Sequence, residues 1–162
     1  MLALACGSLA GVVLAAAAAY ALLGSQAPDF ALKAAEGANV RLSEHRGDVV
    51  VLSFWSSRCA PCSAQLDALN RSFETYRSAG LQVFGVGVDD DARSAAEFAT
   101  RRAVSFPMLL DPGKDVSRAY QVDNLPMTVL IDRGGNVRHV HRDFGAKSDA
   151  LYVNELRDLL NE

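Results

Sequence analysis

The sequence predicts an α/β domain built around one parallel βαβ unit, and three observations carry that prediction. Val49 to Leu52 is an apolar run without alternation, as in a strand covered on both faces. It leads through Phe54 and Trp55 into Cys59-Ala60-Pro61-Cys62. Leu66, Leu69, Phe73 and Tyr76 then recur at helical spacing up to Gly80, which predicts a helix over about 60–79 and its stop. Leu81 to Val88 follows as a second buried strand, and two strands joined by a helix pair in parallel through a right-handed crossover.

The chain's 162 residues suffice for one domain with a real core. A net charge of -3 with no basic stripe excludes a nucleic-acid partner. Every charged residue lies beyond Ala27. Leu2 to Leu23 is a run of 22 residues, about 33 Å as a helix against a hydrocarbon core of about 30 Å. Residues 1–24 therefore read as a transmembrane anchor, while the small-x-small Ala19-Tyr20-Ala21 keeps a cleaved signal segment open. Cys6 precedes most of that run and reads as a small apolar residue within it. Residues 25–29 are expected to be a linker, and 30–162 the folded domain.

Phe30 to Lys33 and Val40 to Leu42 read as a hairpin around Glu36-Gly37-Ala38-Asn39, before a polar turn over Ser43 to Gly47. The next strand ends at the two cysteines. A thiol at a helix start lies among unpaired backbone N-H groups at the positive end of the macrodipole, which favours the thiolate. Cys59 is accordingly the expected nucleophile, with Arg58 beside it adding positive charge. Cys62, one turn further in, is the expected resolving thiol, and Pro61 suits the first turn because it has no N-H to lose. A zinc site would need a second ligand pair, and His45, His139 and His141 lack the spacing for one.

These residues resemble the thioredoxin-like thiol-disulfide oxidoreductases, in particular the membrane-anchored extracytoplasmic group typified by TlpA, ResA and CcmG. The resemblance runs from Ala27-Pro28-Asp29-Phe30 to the C-terminus. It rests also on Val49 to Trp55 with the C-x-x-C, on Phe106-Pro107 followed by Asp111, and on Leu125-Pro126 with Thr128 to Asp132. It implies a thioredoxin-like fold with an N-terminal β-hairpin and a central helix-strand insertion over about Ser94 to Leu110, preceded by one transmembrane helix. It further implies a cis Pro126, a substrate platform formed by Leu125, Pro126 and Trp55, and a redox-active disulfide that needs no cofactor and no metal. The partners it implies are a disulfide-bearing protein substrate and a membrane-linked thiol reductant. The place implied is the periplasmic face of a bacterial cytoplasmic membrane, in processes such as cytochrome c biogenesis.

Downstream, Asp89-Asp90-Asp91 reads as a solvated turn before a helix, with Ser94 and Glu97 at capping-box spacing. Phe106 to Leu110 reads as a strand, and Val116, Ala119 and Tyr120 as one side of a short helix. Thr128 to Asp132 and Val137 to Asp143 form a hairpin around Arg133-Gly134-Gly135-Asn136. His139 and His141 share one sheet face without a third partner in view. Ser148 is the expected cap of a last helix with Tyr152, Leu156, Leu159 and Leu160 inward.

The chemistry expected is disulfide exchange, with Arg58, Pro61 and Gln65 as tuning residues. Gln65 stands where the group often carries Glu, and Ser53 where cytosolic thioredoxins carry a buried Asp. Neither can titrate as a carboxyl would. Two other classes remain. A peroxiredoxin would use Ser56, three before Cys59, but has a proline seven before the cysteine, where Leu52 stands. A membrane-tethered domain could instead bind a partner without turnover.

Overall fold

The computed structural model describes residues 22–162. One seven-stranded sheet carries the fold, in the order β2-β1-β5-β4-β3-β6-β7. The strands are β1 (Ala31–Ala34), β2 (Asn39–Arg41), β3 (Val49–Trp55), β4 (Leu81–Gly87), β5 (Met108–Leu110), β6 (Met127–Ile131) and β7 (Val137–His141). The helices are α1 (Ala60–Tyr76), α2 (Ala92–Arg101), α3 (Asp115–Ala119) and α4 (Ser148–Leu160). β3, β4 and β5 are parallel, while β6 and β7 on one side and β1 and β2 on the other run antiparallel to their neighbours. This is the expected thioredoxin-like arrangement. The α2-β5 insertion widens the sheet, so the N-terminal hairpin adds beside β5 rather than β4.

All seven residues of β3 are buried. Val50, Leu52 and Phe54 face a layer with Phe84, Val86, Tyr120 and Val129, covered by α3. Val49, Val51 and Trp55 face the other layer with Leu66, Leu69, Leu130 and Leu156, covered by α1, α2 and α4. A strand whose two faces both enter apolar layers has no use for alternation, which is why Val49 to Leu52 reads as a continuous run.

Several boundaries differ from expectation. The helix over 60–79 is α-helical to Tyr76 and closes with a tighter turn, Arg77–Ala79, before Gly80 at φ 94°. The cap of α2 is Asp91, not Ser94. Its carboxylate accepts from the backbone N-H groups of Arg93 at 3.1 Å and Ser94 at 3.4 Å, and Glu97 pairs with Arg93 instead. Asp91 wins because it lies in extended conformation just outside the helix, where its side chain reaches the free N-H groups. Ser148 is the first residue of α4 rather than its cap, and its Oγ accepts from Gly145 N-H at 2.9 Å.

Residues 25–29, expected as a linker, are part of the domain, and so are 22–24. Gly24 N-H donates to Val137 O at 2.8 Å, Val137 N-H to Ser25 O at 2.9 Å, and Ala27 N-H to Gly135 O at 2.9 Å. Leu22 and Ala27 are buried in the α3-side layer. The start of β7 would otherwise present unpaired N-H and C=O groups at the sheet edge, and this segment pairs them. Residues 1–21, with Cys6 and most of the expected membrane segment, lie outside the described residues. Among those described, no helix is long and apolar enough to cross a membrane.

Gly85 and Gly87 lie under the indole of Trp55. A Cβ on Gly87 would come within 2.7 Å of that ring, and one on Gly85 within 2.5 Å of Met108 Sδ and 3.1 Å of the indole Nε1. Gly87→Ala is therefore expected to destabilise the fold by about 1–3 kcal/mol through overpacking. Urea unfolding followed by the fluorescence of Trp55, the single tryptophan, measures this.

Candidate active site

β3 ends at Trp55, and Ser56 to Arg58 turn the chain into α1. Cys59 is the N-cap residue of α1, extended at φ -87° and ψ 101°, with no acidic side chain in the first turn to offset the positive helix end. Cys62 lies one turn in, and its N-H donates to Cys59 O at 3.2 Å. The two sulfurs are joined as a disulfide, with Cα atoms 5.3 Å apart. Their surroundings differ sharply: Cys59 is half-buried, whereas Cys62 is 0% exposed. Ala60 and Pro61 are exposed at the helix start, and so is Arg58, which makes no ion pair among the described residues.

The loop before Cys59 is held from the next strand. Ser57 N-H donates to the Asp89 carboxylate at 2.9 Å and 3.1 Å, and Ser57 Oγ donates to it as well. Sequence reasoning placed Asp89 in a solvated turn and missed this. The signal was present in the parallel register: Trp55 pairs with Gly87, so two residues further on Ser57 stands opposite Asp89.

Leu125 and Pro126 arrive from the other side, ahead of β6. The bond between them is cis. Pro126 is buried, Leu125 is half-buried, and Leu125 makes no hydrogen bond among the described residues. Cys59 and Leu125 line one cavity of about 520 Å³, with Pro61, Val88, Lys114 and Asn124.

The matching family model is that of the AhpC/TSA family, over residues 23–140. The chain belongs to the AhpC/TSA family. It is 36% identical over 127 residues to the thiol-disulfide oxidoreductase ResA of Geobacillus kaustophilus, covering 78% of this chain and 73% of that one. It is 32% identical over 137 residues to ResA of Halalkalibacterium halodurans, covering 85% and 76%. A crystal structure from Chlorobium tepidum, assigned as a thiol:disulfide interchange protein DsbE, superposes with a TM-score of 0.81 at 33% identity. It covers 85% of this chain and 97% of that one.

In this AhpC/TSA chain Trp55 does not stand at the substrate platform. It is 0% exposed and stacked on Phe98 at 4.8 Å, so it supports the cysteine loop from within and cannot touch a docked chain. Strand alternation is the reason: Trp55 follows Val49, Val51 and Ser53 onto the α1 side. Among the described residues its Nε1-H has no acceptor.

Gln65 and Ser53 are bonded to each other. Ser53 Oγ donates to Gln65 Oε1 at 2.6 Å, and both side chains are 0% exposed. Gln65 Nε2 donates to Thr128 Oγ1, which lies 3.1 Å from the Tyr152 hydroxyl, and that hydroxyl donates to Asp143 O at 3.3 Å. A neutral amide and a hydroxyl thus fill the space beneath the disulfide helix. Sequence reasoning took Thr128 as strand and Tyr152 as apolar stripe, and nothing in their spacing links them to Gln65.

His139 and His141 do have a third partner, Glu155 of α4. His139 Nδ1 is 3.3 Å from one carboxylate oxygen and His141 Nε2 is 2.6 Å from the other. The rings are parallel with centroids 6.3 Å apart, so their nitrogens address opposite oxygens and do not converge. Among the described residues, no group of three His, Cys, Asp or Glu side chains could hold a metal ion.

Burial pushes the Tyr152 phenol above its ordinary range, against the hydrogen bond with Thr128, and burial pushes up Tyr120 as well. A phenol that ionises less readily folded than unfolded stabilises the fold fully below the unfolded value of about 10. That contribution is lost as pH rises towards the higher folded value. The melting temperature is expected to fall above about pH 10, and less steeply in Tyr152→Phe; melts between about pH 8 and about pH 11 check this.

Proposed function

We propose that the chain reduces disulfides of extracytoplasmic proteins through the Cys59-Cys62 couple. The observation that carries this reading is the asymmetry of the pair: one cysteine stands at the N-cap position of a helix and opens on a cavity shared with Leu125, and its partner is buried and bonded to it. Relatives that carry the name thiol-disulfide oxidoreductase support the activity class.

In the reduced chain, the positive end of α1 and Arg58 favour the Cys59 thiolate. It attacks one sulfur of a partner disulfide; the partner's other sulfur leaves as a thiolate and takes up a proton. Cys62, deprotonated, then attacks Cys59 Sγ, and the partner leaves with its second thiol. Two electrons have passed to the partner, and the chain is left with the Cys59-Cys62 bond. The backbone of Leu125 pairs with the partner in the manner of an added strand, which brings the target disulfide to Cys59. Electrons return from a membrane-linked thiol donor, and the apolar run ahead of Leu22 tethers the domain at the periplasmic face of a bacterial membrane. Cytochrome c biogenesis is one process with such a demand.

With an extended peptide that carries one internal disulfide, Cys62→Ser is expected to accumulate a mixed disulfide on Cys59, and Cys59→Ser to form none. Alkylation and mass spectrometry read both. Trapping on Cys62 in the Cys59→Ser variant would reverse the roles. Hydrogen peroxide consumption that survives Cys62→Ser would assign a peroxidase instead.

Equilibration of the full chain in graded thiol-disulfide buffers is expected to give a two-electron couple near about -270 mV. A value near about -120 mV would make it an oxidant.

A further inference from the structure

In the layer between the sheet and α1 and α4, four polar side chains, Ser53, Gln65, Thr128 and Tyr152, meet at one place, each at most 1% exposed. One assignment satisfies every member: with Tyr152 donating to Asp143 O, the Thr128 hydroxyl, which accepts from Gln65, is free to donate to the Tyr152 oxygen. Ser53 begins the chain by donating to Gln65 Oε1. These four side chains come from β3, α1, β6 and α4, and Ser53 and Thr128 face each other across the β3-β6 pairing. Buried polar groups are costly unless each is partnered, so the elements that carry these four cannot slide past one another freely.

Their places in the chain give this constraint a use. Gln65 lies one turn after Cys62, and Thr128 lies two residues after Pro126. The bonds therefore join the cysteine-bearing helix to the strand that begins at the substrate platform. We propose that Tyr152 is a positioning residue: through Thr128 and Gln65 it locks Leu125-Pro126 against α1, so that a chain paired to Leu125 presents its disulfide to Cys59. This rests on the reductase reading above. Among the described residues Tyr152 makes no hydrogen bond to either sulfur; it acts through Thr128. Small disulfides that need no platform are accordingly insensitive to it.

The test compares the full-length wild type with Tyr152→Phe, Thr128→Val and Thr128→Ser. One substrate is the disulfide-bearing peptide and the other is oxidised mercaptoethanol. Tyr152→Phe and Thr128→Val are expected to lower kcat/KM for the peptide by about 3- to 10-fold, chiefly through KM. The small disulfide is expected to react within about 2-fold of wild type, Thr128→Ser to retain most peptide activity, and the double variant to be no worse than either single one. Unchanged peptide kinetics in the variants overturn the proposal, and so does an equal loss with both substrates. If Tyr152→Phe fails to fold, the contrast between Thr128→Val and Thr128→Ser decides. A wild type without activity on the peptide removes the reductase reading, and the proposal with it; an active wild type with unaffected variants removes the proposal alone.

Discussion

The burial of β3 on both faces is the constraint on which the rest depends. Its even residues build the layer under α3 and its odd residues the layer under α1, α2 and α4. β4 and β6 are held on either side of it. The chain must leave this strand at the carboxyl end of the parallel pair, where open α/β sheets form their ligand crevices. The turn to α1, the Asp89 clamp and the Leu125-Pro126 segment all converge there.

The asymmetry between the two sulfurs follows from where α1 begins. An N-cap position has solvent on one side and free N-H groups on the other, whereas a position one turn later has rotated onto the sheet. The same rotation carries Gln65 inward, three residues after Cys62. Its neighbour Ser53 cannot hold a charge either, so this buried pair is neutral at every pH at which the fold persists. A carboxyl here would couple its own titration to that of the thiols.

Legibility in the sequence followed the range of the interaction. Strand β3, helix α1 with its stop at Gly80, strand β4 and the β6-β7 hairpin were legible because periodicity and turn chemistry act within a few residues. So were the placement of Cys59 at a helix start and of Cys62 one turn inside it. The α2 cap was misread because Asp91 and Ser94 both suit the role and only backbone conformation chooses between them. Trp55 was misassigned because an aromatic beside a C-x-x-C suits a substrate wall and a core equally well. The pocket made by Gly85 and Gly87, thirty and more residues away in sequence, decides for the core.

By itself, the sequence determined the α/β class and the redox pair, with one cysteine at a helix start and the other one turn inside it, because helix-start signals, thiol chemistry and apolar periodicity are local. Only the tertiary structure decided that Ser53 and Gln65 are partners, that Asp89 holds the cysteine loop, that Glu155 stands between two histidines, and that Leu22 to Pro28 belongs to the domain. Each of these joins groups brought together by sheet register or by helix docking. Such contacts exist only once the chain has been folded onto itself, and no short-range pattern encodes them.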